Sequence, residues 1–186
     1  MSIRGKAWRF GAHVNTDQIF PSKYFKPRYA RGEMASHIMS GADPDFPTKV
    51  GKGDIIVGGR NFGCGSSREE AAACMNEAGV GALVAPSFGR IFMRNCINLG
   101  VPVAVCAGID DHVTQGDELE IDFEAGRLRN VTNGYEASLP AMAPELLLLL
   151  GAGGLVEYTR RALAARSAAS EKEAPHPGPV SGTEKP

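Results

Sequence analysis

Gly58-Gly59-Arg60-Asn61-Phe62-Gly63-Cys64-Gly65-Ser66-Ser67-Arg68-Glu69-Glu70 follows the apolar run Ile55-Ile56-Val57 and leads into a helical pattern beginning near Arg68. A short β-branched run closed by glycines reads as a buried strand entering a tight turn. Gly63 and Gly65 lack a Cβ, so the backbone there can approach a ligand closely or adopt positive φ. Ser67 and Glu70 have the spacing of a capping box, which predicts a helix starting at that serine. The product is a strand–turn–helix whose helix N-terminus offers unpaired N–H groups and partial positive charge. Arg68 adds a fork suited to a carboxylate or phosphate. Ser66 falls on the ligand side of the turn as a reactive hydroxyl. On these residues alone, the stretch reads equally well as a capped, glycine-rich turn with no chemistry.

Downstream, the same unit recurs. Ala71, Ala72, Cys74, Met75 and Ala78 put small and apolar groups along one side of a helix that Gly79 ends, and Ala82-Leu83-Val84-Ala85 is the next buried strand. Ser87 is placed to cap a second helix with Ile91, Phe92, Cys96 and Ile97 at helical spacing and Gly100 at its end. Arg90, Arg94 and Asn95 fall off that stripe and read as solvated or structural groups. Val101 to Val105 is a third buried strand. Two successive βα units with short crossovers predict a parallel sheet covered by helices.

Upstream, Gly5 to Phe10 reads as an opening strand. Gly11 to Tyr29 is a long loop without a period, which either serves a site or is a surface turn built on an Asx motif at Asn15 or Asp17. The basic run Tyr24-Phe25-Lys26-Pro27-Arg28 reads, taken alone, as a solvated loop. Glu33 to Met39 suggests a short helix, and Ser40 to Asp54 a Pro/Gly-rich connection. Beyond Asp117 the pattern changes. Glu118 to Phe123 and Arg127 to Val131 alternate about Glu124-Ala125-Gly126 as a hairpin, with a further strand at Tyr135 to Leu139. Leu146 to Leu150 and Leu155 to Ala165 look helical. Residues 1–166 therefore form one domain, and Ser167 to Pro186, almost without apolar anchors, reads as a disordered tail in which His176 is incidental.

Composition narrows the function classes. At 43% hydrophobic and 22% charged residues the chain suits an ordinary globular domain. A net charge of −1 gives no global reason to expect nucleic acid or an anionic membrane as partner, while leaving room for a local cationic pocket. Cys64, Cys74, Cys96 and Cys106 show no C-x-x-C spacing, so no metal site is expected in this chain. Without a secretory h-region, a cytoplasmic location and free thiols are the expectation. The Leu146–Leu150 run is far too short to span a bilayer.

The segments Asn61-Phe62-Gly63-Cys64-Gly65-Ser66-Ser67-Arg68-Glu69, Ala85-Pro86-Ser87-Phe88-Gly89-Arg90-Ile91-Phe92 and Arg94-Asn95-Cys96-Ile97-Asn98-Leu99-Gly100 together resemble the small subunits of the isopropylmalate dehydratase family. These are the separately encoded swivel domains of the aconitase superfamily. Asn15-Thr16-Asp17-Gln18-Ile19 and Gly153-Gly154-Leu155-Val156-Glu157-Tyr158 extend the resemblance from the first strand to about Arg166. It implies an α/β fold, a swivelling β/β/α domain with a mainly parallel central sheet and an added antiparallel hairpin. It also implies half of a hydro-lyase, inactive alone, that dehydrates and rehydrates a hydroxy di- or tricarboxylic acid with a cluster-bearing large subunit. The [4Fe-4S] cluster would be held by that partner, with none bound by this chain. Isopropylmalate, and hence leucine biosynthesis, leads among the substrates, with citramalate or citraconate, dimethylmalate and homoaconitate as alternatives. A stand-alone anion-binding module is the reading from a different class.

By the same resemblance, Ser66 is the base, Ser67 hydrogen-bonds substrate or alkoxide, Arg68 binds a substrate carboxylate, and Asp17 orients the site. Tyr24-Phe25-Lys26 occupies the place of the family's specificity loop, where many archaeal-type members carry Tyr-Leu-Arg. Lys26 or Arg28 would therefore meet the distal end of the substrate, as point charge or fork respectively. Glu70 stands where many members have histidine and reads as a capping residue. Cys64 reads as a small filler beside the turn.

Overall fold

The computed structural model describes residues 1–173, with side chains through 167. Its frame is a seven-stranded sheet in the order β4-β3-β2-β1-β5-β6-β7, with β1 Ser2–Arg9, β2 Ile55–Val57, β3 Ala82–Ala85, β4 Val103–Val105, β5 Glu118–Asp122, β6 Arg127–Asn130 and β7 Glu136–Ser138. β1 to β4 run parallel, with registers Ala7↔Ile55, Ile55↔Ala82 and Leu83↔Val103. β5, β6 and β7 form an antiparallel meander, the expected hairpin with the further strand expected within Tyr135 to Leu139 paired to β6.

β1 is the seam between the two halves. Its first part, Ser2 to Lys6, pairs antiparallel with β5, and its last part, Ala7 to Arg9, pairs parallel with β2. The strand therefore starts before Gly5, where the sequence pattern opened it, because the early residues gain a distant partner in β5.

Successive strand residues point to opposite faces. Ile56, Leu83 and Ala85 pack with Trp8, Phe46, Met75 and Phe92 under the helices, and Ile55, Val57, Ala82 and Val84 pack with Leu119, Ile121 and Leu128 of the meander. The sheet thus curls until its antiparallel half covers the back of its parallel half, giving β/β/α layers. Short helices α1 (Thr16–Ile19) and α2 (Phe46–Lys49) precede the crossover helices α3 (Glu69–Ala78) and α4 (Arg90–Asn98), and α5 (Pro144–Ala152) and α6 (Leu155–Glu173) are the last described elements.

α3 ends at Gly79 with φ +72°, as its position implied. Gly11 to Tyr29 is less irregular than its sequence: it holds α1 and a 3₁₀ turn at Ser22–Tyr24. Asn15 and Gln18 make a complete capping box there, with the Asn15 side chain accepting from the Asp17 and Gln18 N–H groups and Gln18 reaching back to the Asn15 N–H. The tail boundary also moves. Ser167 to Glu173, expected in a disordered tail, continue α6; the remainder of that stretch, including His176, lies outside the described residues.

Candidate active site

Three loops leave the carboxyl ends of β1, β2 and β3 side by side, and backbone hydrogen bonds lace them together. The Gly63 N–H donates to the Val14 carbonyl at 2.7 Å, and the Thr16 N–H to the Cys64 carbonyl at 2.8 Å. On the other flank the Phe62 N–H donates to the Ser87 carbonyl at 3.0 Å, and the Gly89 N–H to the Phe62 carbonyl at 2.7 Å. Two glycines make this close approach possible. Gly63 has φ +72°, and a Cβ there would lie 2.1 Å from Cδ1 of Phe92; at Gly89 it would lie 2.3 Å from the Gly63 carbonyl oxygen. These glycines serve chain-to-chain packing beneath the turn.

Ser66 stands at the tip of the middle loop. Buried Thr16 donates its hydroxyl to the Ser66 carbonyl at 3.2 Å, which pins the Ser66 backbone. The Ser66 and Ser67 side chains are exposed, and neither hydroxyl hydrogen-bonds another of the described residues. An exposed hydroxyl is thus carried on a fixed backbone, the kind of placement that positioning of a catalytic group requires.

Arg68 is held from two sides. Its Nη1 donates to Asp17 Oδ1 at 2.6 Å, and its guanidinium lies 4.8 Å from the ring centroid of Phe25. Phe25 in turn stacks on Phe20, with ring centroids 5.9 Å apart and planes 21° apart. Asp17 Oδ1 also accepts the Ser22 N–H at 2.9 Å. The Arg68 hydrogen bond, followed by the Ser22 N–H, holds the Asp17 carboxyl below the usual carboxylate range.

This tether shifts the helix start. Arg68 is the N-cap residue of α3 in extended backbone (φ −119°, ψ 117°), and no side chain caps the helix. The expected Ser67–Glu70 capping box is therefore not formed: pulling Arg68 toward Asp17 moves the helix start one residue on, leaving Ser67 outside and Glu70 in the first turn. The expected Ser87 cap is also absent. Gly89 is the N-cap of α4, and the Ser87 hydroxyl oxygen instead accepts the Asn61 N–H at 2.9 Å.

These shifts leave the two helix N-termini unlike each other. α3 opens with Glu69 and Glu70, whose carboxylates offset its dipole, whereas the first turn of α4 holds no acid and no side-chain cap. A hollow of ≈ 180 Å³ lies between the Ser66 turn, residues 63–66, and the first turn of α4, residues 89–92. Arg90, read from sequence as a solvated or structural group, lines that hollow with Ser66. Its signal was available in the repeated layout, because Arg90 follows β3 and a glycine turn much as Arg68 follows β2.

The loop carrying Lys26 and Arg28 reaches this region through Phe25. The Lys26 ammonium pairs with Glu33, and Arg28 is exposed without a hydrogen bond or ion pair among the described residues. The structure thus joins Ser66, Ser67, Arg68 and Asp17 in one patch, places Lys26 at its margin in an ion pair, and leaves Arg28 without a hydrogen bond or ion pair to it among the described residues. Cys64 is half-buried, with Sγ 3.5 Å from the His13 carbonyl oxygen. Burial pushes the Cys74, Cys96 and Cys106 thiols up. Among the described residues no group of three or more His, Cys, Asp or Glu side chains converges as metal ligands, and no helix is long and apolar enough to cross a membrane.

A family model described as the aconitase C-terminal domain matches residues 13–105, the span that contains all three site loops. The isopropylmalate/citramalate isomerase small subunit of Methanocaldococcus jannaschii is 48% identical over 166 residues, covering 87% of this chain and 96% of that protein. The methanogen homoaconitase small subunit of Methanothermobacter thermautotrophicus is 49% identical over 156 residues, covering 84% and 89%. The crystal structure of 3-isopropylmalate dehydratase from Methanocaldococcus jannaschii superposes with a TM-score of 0.83 at 38% identity, covering 91% of this chain and 99% of the other.

Proposed function

This chain belongs to the family of 3-isopropylmalate dehydratase small subunits, hydro-lyases that act with a large subunit, and from that premise we propose that it moves the hydroxyl of isopropylmalate between neighbouring carbons. Ser66 is the base. Its Oγ, as an alkoxide, takes the proton from the carbon beside a carboxylate; the freed electron pair forms the double bond as hydroxyl leaves the next carbon. Rehydration in the opposite sense returns the isomer. Arg68 binds a substrate carboxylate through the guanidinium edge left open by Asp17, and Ser67 donates to substrate or alkoxide.

A serine hydroxyl is too weak an acid to ionise unaided, so the site must stabilise its anion. The uncapped first turn of α4 and Arg90, across the hollow from Ser66, supply cationic character for this purpose. The reading includes a [4Fe-4S] cluster held by the large subunit. When bound there, such a cluster supplies Lewis acidity to the departing hydroxyl. A cytoplasmic biosynthetic enzyme is the corresponding setting.

The observation that carries this reading is the exposed Ser66 hydroxyl on a pinned backbone, beside an Arg68 already oriented by Asp17 and Phe25. A homoaconitase-type tricarboxylate is the second reading, favoured by 49% identity to a small subunit of that name. The test is an anaerobic assay of the chain mixed with its large subunit, following the unsaturated acid over a panel of hydroxy di- and tricarboxylates. Turnover in the mixture alone, greatest with isopropylmalate, is expected. Turnover greatest with a tricarboxylate would transfer the assignment to the second reading, and a fully loaded mixture inert to the whole panel would overturn both.

A further inference from the structure

The segment between Phe25 and Glu33 is a closed staple against the site. The Lys26 ammonium pairs with Glu33 Oε1, while Glu33 Oε2 accepts the Ala30 N–H at 2.9 Å. The Lys26 N–H donates to the Tyr29 hydroxyl oxygen at 3.2 Å, and the ammonium sits 5.6 Å from the Tyr29 ring centroid. Tyr29 meets Phe20 edge-on, with centroids 5.8 Å apart, and Phe25 stacks on that same Phe20 before reaching Arg68. One small aromatic unit therefore connects the staple to the carboxylate-binding arginine.

The staple also sets charge. Beyond the exposed face of Phe25, Lys26 would present a full cation to any substrate group that projects past Arg68. Glu33 opposes that charge: its side chain is 28% exposed, against 42% for Lys26, so the pair is only partly screened by water. The Lys26 hydrogen bond is also the main cause holding the Glu33 carboxyl below the usual range, so Glu33 stays ionised and paired at neutral pH.

We propose that Glu33 is a specificity-determining residue that neutralises Lys26 and so tunes the site to hydroxy diacids with an apolar tail, against acids whose tail ends in a third carboxylate. This rests on the hydro-lyase reading above. It makes Phe25 the surface an apolar tail meets and makes Lys26 a cation restrained by its neighbour. Discrimination arises from a charge withheld, which is specificity by unfavourable contrast as much as by attraction.

The holoenzyme reconstituted with its large subunit provides the test. Glu33→Gln keeps the shape and an oxygen for the Ala30 N–H but releases the Lys26 charge. The ratio of kcat/KM for a hydroxy tricarboxylate over isopropylmalate should rise about fivefold, the scale of one partly exposed charge. Adding Lys26→Met to that variant should abolish the rise. Equal losses on both substrates in Glu33→Gln, or a rise that survives Lys26→Met, would overturn the proposal and leave the staple with a structural role. If Glu33→Gln does not fold, Lys26→Met alone should lower the same ratio, and an unchanged ratio would overturn the proposal. Failure of the hydro-lyase reading would look different, because the wild-type pair would then turn over neither acid.

Discussion

In the antiparallel half, Asn130 is fully buried and donates to Asp117 Oδ2 at 2.7 Å and to the His112 carbonyl at 3.0 Å. In the parallel half, the Ser66 and Ser67 hydroxyls sit exposed without a partner among the described residues. One half closes its polar groups into an internal knot, and the other holds two hydroxyls in reserve on a rigid frame. The contrast follows from topology. Antiparallel neighbours are joined by short turns that have little to do beyond satisfying themselves. Parallel strands need crossovers and bring their carboxyl ends, with three loops, to one edge. Polar side chains in the knot should therefore govern stability, and those on the loops should govern turnover.

The strongest challenge to that division is Ser66→Ala. Steady-state assay with the large subunit should show a loss of about 10³-fold in kcat, while thermal unfolding should change by less than about 0.5 kcal/mol, as for an exposed side chain. Activity surviving this substitution would place the base elsewhere. Arg68→Lys comes next. A lysine gives up the planar fork that Asp17 and Phe25 hold and, with it, the bidentate grip proposed for a substrate carboxylate, so kcat/KM should fall about 100-fold, again with a small change in melting.

Asn130→Ala tests the opposite side. It leaves Asp117 short of a buried partner and should cost about 2 kcal/mol of stability in denaturant titration, with turnover of the folded fraction preserved. A large loss of kcat there would break the comparison. Thr16→Val falls between the two classes, because Thr16 is buried yet holds the Ser66 carbonyl. It should lower stability by about 1 kcal/mol, and kcat should fall by a larger factor than KM changes.

The smallest effect is electrostatic. The Asp17 carboxyl is depressed by Arg68 in the folded chain, so below its ordinary pKa of about 3.9 the unfolded chain binds more protons at this position. Its stabilising contribution is complete above that value and is lost as pH falls through the lower folded value. An NMR titration should find the Asp17 midpoint below about 3.9, and Arg68→Gln should move it back up. An unshifted midpoint would show that the Asp17–Arg68 pair is not maintained in solution.

Much of the frame was legible from local pattern. Ile55–Val57 and Ala82–Ala85 came out with their observed ends, because a short apolar run bounded by Asp54 and Gly58, or by Gly81 and Pro86, leaves little choice. The turn Glu124-Ala125-Gly126 announced its hairpin, and Gly79 its helix end, because positive φ at a tight reversal favours glycine. The grouping of Ser66, Ser67 and Arg68 follows from adjacency in the chain.

The helix caps were misread for a long-range reason. Ser67 and Ser87 have the right residue type at the right spacing, but the chain enters each helix at an angle imposed from outside. Arg68 is drawn to Asp17, 51 residues earlier, and Ser87 is drawn to the Asn61 N–H in the neighbouring loop. The working capping box fell instead at Asn15–Gln18, inside a segment with no visible period.

Strand identities, turn positions and the grouping of Ser66, Ser67 and Arg68 thus belong to the local sequence, since propensity, glycine geometry and chain adjacency act over a few residues. Tertiary packing placed α4 opposite Ser66, paired Lys26 with Glu33 and set Phe25 against Arg68. Those contacts depend on how a curled sheet brings distant loops together, and no short window of residues contains that information.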